Sequence, residues 1–171
     1  MKKKYKISIT QPLLPGFFET LVRFIRIFSS KALTNNSKFA KQLKKQLSNL
    51  SDDSKISLFA NGHLALEYAL DTIVSKGEII TTPFTFASTS HAIIRKGFKP
   101  VFCDIDIHDY NLDPSKIEAL ITKKTVAIMP VHVYGSPCEN DIIMRIARNH
   151  NLKVIYDAAH AFAVTVNGKS I

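Results

Sequence analysis

The sequence predicts an α/β fold, a three-layer sandwich on a mostly parallel sheet, and three observations carry that prediction. From Ile56 onward, short apolar runs alternate with runs of helical character. Strands alternating with helices imply a parallel sheet covered on both faces. The apolar run Lys153-Val154-Ile155-Tyr156 reads as a short buried strand and is followed at once by an ionisable pair, Asp157 and His160, set among alanines. Finally, polar, aromatic and glycine residues collect after the runs. Asn61-Gly62-His63 follow the first, Pro83-Phe84-Thr85-Phe86 the second, and Asp104 and Asp106 the third. His132 with Tyr134-Gly135 follow the fourth. Turns alone do not call for an aromatic pair or two histidines. In open parallel sheets, ligands bind in the crevice beyond the carboxyl ends of the strands.

In chain order, residues 1–50 read as a basic, partly helical arm and residues 51–171 as the sheet-bearing domain. Pro12 and Pro15 break the start of the arm, and Phe39, Leu43 and Leu47 share one face of a helix over Lys38–Leu50. The predicted strands are Ile56–Ala60, Glu78–Thr81, Val101–Cys103, Val126–Val131 and Val154–Tyr156. Helices are predicted at about His63–Val74, Phe86–Lys96, Pro114–Ile121 and Asn140–His150, and a hairpin at Val164–Lys169.

The formal charge of +9 is unevenly placed: residues 1–50 hold 11 Lys or Arg against one Glu, whereas residues 51–171 hold 12 against 13 acidic residues. Lys2, Lys3, Lys4, Lys38, Lys41, Lys44 and Lys45 give the arm its charge, but no nucleic-acid recognition motif accompanies them, so nucleic acid is not the expected partner. Phe17–Phe28 is apolar yet contains Arg23 and Arg26, too short and too charged to span a bilayer. A membrane-surface helix stays open there, and no small-residue cleavage site follows as a signal peptide requires. Two cysteines outside any C-x-x-C spacing point to a reducing cytoplasm.

Gly62 stands at a strand-to-helix turn, where free amides and the helix dipole can hold a phosphate. It forms neither G-x-G-x-x-G nor a P-loop. Phe84 and Phe86 alternate, so one can face the core and the other the crevice, or both can be core. Asp157 is either a helix cap or a carboxylate facing a ligand. A flat ring above a phosphate site and an anion opposite both suit a pyridine whose nitrogen must stay protonated. His132 and His160 can each be locally hydrogen-bonded histidines. No metal-ligand spacing joins them to Asp157, and no metal is expected.

Several stretches match one family in order over residues 30–171: Asn61-Gly62-x-x-Ala65-Leu66, Pro83-Phe84-Thr85-Phe86-Ala87-Ser88-Thr89 and Val101-Phe102-x-Asp104-Ile105-Asp106 come first. Asn111-Leu112-Asp113-Pro114, Pro130-Val131-His132-Val133-Tyr134-Gly135 and Asp157-Ala158-Ala159-His160-Ala161 follow. With these the chain resembles the sugar-nucleotide aminotransferases of the DegT/StrS group, fold-type-I enzymes that use pyridoxal 5'-phosphate, and Leu33-Thr34-Asn35 is similar to the family's entry to its first long helix. The resemblance implies that residues 51–171 are an incomplete cofactor-binding large domain. It implies that Gly62 and His63 bind the cofactor phosphate, Phe86 stacks on the pyridine, Asp157 pairs with its nitrogen, and His160 lies beside the ring near its phenolic oxygen. His63 departs from the family's usual Thr or Ser, and Ala163 stands where glycine is usual.

The resemblance also places the Schiff-base lysine beyond Ile171. Lys153 precedes Asp157 and Lys169 falls in the hairpin, so no catalytic residue is expected within the chain. The implied partners are a nucleotide-linked keto sugar and an amino donor, usually glutamate, in polysaccharide or glycoside biosynthesis, with a homodimer or a complementing C-terminal chain. The alternative is a non-catalytic remnant or partner-binding subunit of a split enzyme.

Overall fold

The computed structural model describes residues 14–34, 36–52, 54–73 and 75–171. The expectations placed on Lys2, Lys3, Lys4, Pro12, Asn35 and Val74 lie outside these. Two compact units divide the chain, Met1–Lys45 and Gln46–Ile171. In the first, α1 (Phe17–Ser29) starts directly after Pro15-Gly16 and buries none of its residues. Its Glu19 carboxylate accepts from Arg23 one turn on, at 2.7 Å, the spacing at which helical charges meet. Helix α2 (Lys38–Leu50) has the bounds the four-residue spacing predicts and runs across the unit boundary.

The second unit holds the sheet. Helix α3 (Gly62–Leu70) precedes strand β1 (Glu78–Thr81), then come α4 (Ala87–Arg95), β2 (Lys99–Phe102), β3 (Thr125–Ile128), α5 (Asn140–Asn149) and β4 (Lys153–Val154). All four strands are parallel, in the order β2-β1-β3-β4. A separate antiparallel pair, β5 (Thr165–Val166) and β6 (Lys169–Ser170), closes on Asn167 and Gly168, both at positive φ, as a two-residue hairpin requires.

Side chains alternate across the sheet with the strand period of two, and this separates two cores. Ile80, Ile128 and Val154 pack with Ile117, Ile143, Ile146 and Ala147 on the α5 face. Ile79, Ala127, Met129 and Ile155 pack with Leu70, Ala92, Ile93 and Phe98 on the α3–α4 face. That is the predicted sandwich. Gly77 lets β1 in between its neighbours: a Cβ there would lie 2.2 Å from the Lys124 carbonyl oxygen, which accepts from the Glu78 amide.

One predicted strand is absent. Ile56–Ala60 has no regular secondary structure and belongs to no sheet, and Leu58 and Phe59 are exposed. An apolar pentapeptide becomes a strand only when a ladder pairs its amides and carbonyls, and the outer positions of this sheet are β2 and β4. The predicted helix at Pro114–Ile121 is two 3₁₀ turns, Pro114–Lys116 and Glu118–Leu120, the first capped by Asp113. Helix α3 ends at Leu70, short of the predicted Val74, because the chain turns there to bring Ile73 into the core.

Candidate cofactor site

The strand order fixes where the site lies. From β1 the chain crosses to β2 on one side; from β3 it crosses to β4 on the other, with α4 and α5 on opposite faces. The tips of β1 and β3 therefore diverge at a topological switch point, where open α/β sheets leave a crevice. A cavity of about 320 Å³ occupies it. Pro83, Phe84, Thr85 and Phe86 line it from beyond β1, Val131, Val133 and Tyr134 from beyond β3, and His160 from beyond β4.

Asp157 does not line this cavity; it stands behind the wall, joined to it through Thr89 and Thr85. Its backbone continues the ladder past β4, in a parallel bridge with Val131, so its position is set by the sheet. Its side chain is buried among donors: the Thr89 hydroxyl donates to Oδ2 at 2.7 Å and the Ala159 amide to Oδ1 at 3.2 Å. Thr89 in turn meets Thr85 of the cavity wall at 2.7 Å. A carboxylate with a donor on each oxygen is fixed in direction. Sequence reasoning assigned no role to Thr89; the signal was present, since the first turn of a helix entering from a strand tip faces the same crevice as the tip.

Phe86, just before α4, is 74% exposed at the cavity wall, whereas Phe84 stacks on Tyr110 at 5.6 Å. Both rings line the crevice, so the pair does not divide between core and cavity. His160 lies parallel to Tyr134, 5.9 Å between centroids, and its Nδ1 accepts from the Tyr134 amide at 3.4 Å.

Gly62 and His63 are outside the lining residues, at the N-terminus of α3. Asn61 caps that helix, its side chain accepting from the Leu64 amide at 3.0 Å, which leaves the amides of Gly62 and His63 as outward donors of the first turn. A Cβ on Gly62 would meet nothing within 4 Å, so the fold itself does not require glycine there. Two ion pairs orient the helix: Arg95 to Glu67 at 2.6 Å and Lys96 to Asp71 at 2.6 Å join the C-terminal halves of α3 and α4. The C-terminal ends of α3 and α4 thus lie side by side. The His63 imidazole turns along its own helix, 3.1 Å from Glu67. The Arg95 guanidinium on that same carboxylate holds it below the usual carboxylate range.

His132 belongs to the core and not to the cavity. It accepts from the Cys138 amide at 3.0 Å and stacks on Tyr156 at 4.8 Å. Burial pushes its pKa down, with Asp157 opposing. Among the described residues no three His, Cys, Asp or Glu side chains form a metal-sized cluster. Among the described residues no helix is long and apolar enough to cross a membrane.

A parallel sheet with helices on both faces and a crevice at its switch point is the architecture of the fold-type-I aminotransferases. Residues 19–171 match the DegT/DnrJ/EryC1/StrS aminotransferase family, and the chain belongs to it. It is 48% identical over 165 residues to the dTDP-4-amino-4,6-dideoxy-D-glucose transaminase of Escherichia coli, a match over 96% of this chain and 44% of that protein. The chain thus spans under half the length of that relative. Among solved structures, the aminotransferase from Psychrobacter cryohalolentis superposes with a TM-score of 0.87 at 32% identity, covering 94% of this chain and 42% of that one. NtdA from Bacillus subtilis, with bound cofactor PMP, superposes with a TM-score of 0.84 at 28% identity, covering 99% and 41%.

Proposed function

We propose that this chain supplies the pyridoxal 5'-phosphate cradle of an aminotransferase acting on a nucleotide-linked keto sugar, with an amino acid such as glutamate as amino donor. One observation carries the reading: the carboxylate of Asp157 is buried, hydrogen-bonded on both oxygens, and joined through Thr89 to Thr85 in the wall of a crevice that aromatic rings largely line. Among the described residues this carboxylate has two donors and no cationic partner, which suits a ligand that brings its own positive charge.

The residues fit the cofactor. The outward amides of Gly62 and His63 and the α3 dipole would hold its phosphate, and the open space over Gly62 admits close approach. Phe86 would cover the ring and exclude water from one face, and His160 would border the ring with Nε2 carrying its proton, since Nδ1 accepts from Tyr134. Asp157 would keep the pyridine nitrogen protonated by its adjacent charge. When bound, the cofactor supplies an electron sink for the carbon that exchanges its amino group. The two buried, unpaired thiols, Cys103 and Cys138, support a reducing cytoplasm as the compartment.

Titration with pyridoxal 5'-phosphate, followed by the circular dichroism the cofactor gains when held in an asymmetric site, tests this reading. Saturable binding is expected, lost in Asp157→Ala and weakened about tenfold in Phe86→Ala, as loss of one ring contact of roughly 1–1.5 kcal/mol predicts. No induced signal in the wild-type chain, or an unchanged one in Asp157→Ala, overturns it.

A further inference from the structure

We propose that Tyr134 is the platform for the hexose ring of the substrate, a specificity-determining residue at the cavity; this rests on the aminotransferase reading above. Tyr134 is 75% exposed although it lines the cavity and has neighbours on two sides. One face lies parallel to His160 at 7°, and Phe84 meets the ring edge-on at 6.2 Å. The remainder of the ring is bare.

The fold goes to some length to place it there. Tyr134 has φ 51°, ψ 24°, a left-handed conformation costly for any residue with a Cβ. The turn around it is anchored on one side by the Val133 amide donating to the buried Asn111 side chain at 2.9 Å. On the other side Gly135, at φ 84°, approaches so closely that a Cβ would lie 3.2 Å from the His160 carbonyl oxygen. Strained non-glycine residues held on both sides tend to mark functional positions.

The chemistry of the wall selects the ligand. Among the described residues it contains no lysine, arginine, aspartate or glutamate, so it offers no charged group to pair with a diphosphate or a donor carboxylate. An uncharged ring with an apolar face fits, and in a nucleotide-linked keto sugar that is the hexose, which must also come close to the cofactor. Tyr134 stands next to His160, where the hexose has to sit, whereas the base is separated from the reacting carbon by a diphosphate and a second sugar.

The test measures binding of two probes to the full chain loaded with pyridoxal 5'-phosphate: thymidine diphosphate, and thymidine diphosphate linked to a 4,6-dideoxyhexose. The hexose is expected to add about tenfold in affinity in the wild type, an increment kept in Tyr134→Phe and lost in Tyr134→Ala. Equal affinity for both probes in the wild type, or an increment that survives in Tyr134→Ala, overturns the proposal. So does a Tyr134→Ala defect of equal size for both probes, which would make the ring a base or phosphate contact. Cofactor binding, read by its circular dichroism, separates the two readings: its loss in the wild type contradicts the proposed function, and its weakening in Tyr134→Ala with the hexose increment intact makes Tyr134 a cofactor contact instead.

Discussion

At the scale of single residues, the site depends on how a few side chains are held. Thr89 lies fully buried on the inner side of α4, and its hydroxyl is the side-chain donor to Asp157. Thr89→Val keeps the shape but leaves a buried carboxylate oxygen without that donor, a loss of about 1–3 kcal/mol. Thermal melting is expected to show this destabilisation, together with weaker cofactor binding. Ala163 shows the opposite case. It sits at φ 59°, where the family's usual residue is glycine. The left-handed conformation costs an alanine about 1–2 kcal/mol, and glycine's greater unfolded freedom takes back about 0.5–1 kcal/mol. Ala163→Gly is thus expected to raise stability by about 1 kcal/mol in denaturant titration. The departure from glycine was visible in the sequence, but its physical meaning needed the backbone angle.

At the scale of elements, the sequence carried most of the architecture because each element's own pattern agrees with its neighbours. Glu78–Thr81 is a strand with the predicted bounds, and α2, α5 and the hairpin fall within a residue or two of theirs. Ile56–Ala60 failed because apolarity records burial preference, whereas strand formation depends on a hydrogen-bonding partner that a local pattern does not contain. The gathering of Phe86 and His160 was legible from strand ends, as was the side of α4 on which Thr89 stands; its bond to Asp157 was not, since it joins residues 68 positions apart. Two glycines test the element-level account. Gly77→Ala forces a Cβ against the Lys124 carbonyl and is expected to cost about 3 kcal/mol, the top of the overpacking range. Gly62→Ala meets open space, so melting should be unchanged while cofactor affinity falls; a lowered melting temperature there would show that glycine serves the fold.

At the scale of the whole molecule, buried titratable groups set the pH range in which the second unit is stable. Burial pushes Cys103 up to about 11 and Cys138 and Tyr156 up to about 12. Their unfolded forms lose protons first as pH rises, so the folded state binds more protons and stability declines from about pH 9 upward. His132 acts at the other end: burial lowers its pKa, the unfolded chain takes up a proton the folded one refuses, and stability falls as pH drops below the ordinary histidine range. Melting temperature against pH is expected to be a plateau bounded by these two limbs, with native thiols inert to alkylation at pH 8 and reactive only on unfolding. The fold and the proposed site meet in one electrostatic proposal, that Asp157 would keep a bound pyridine charged. Nitrogen-15 spectroscopy of ring-labelled pyridoxal 5'-phosphate bound to this chain tests it most directly. The account predicts a protonated ring nitrogen at neutral pH in the wild type and an unprotonated one in Asp157→Asn; an unprotonated nitrogen in the wild type, or the same state in both, contradicts it.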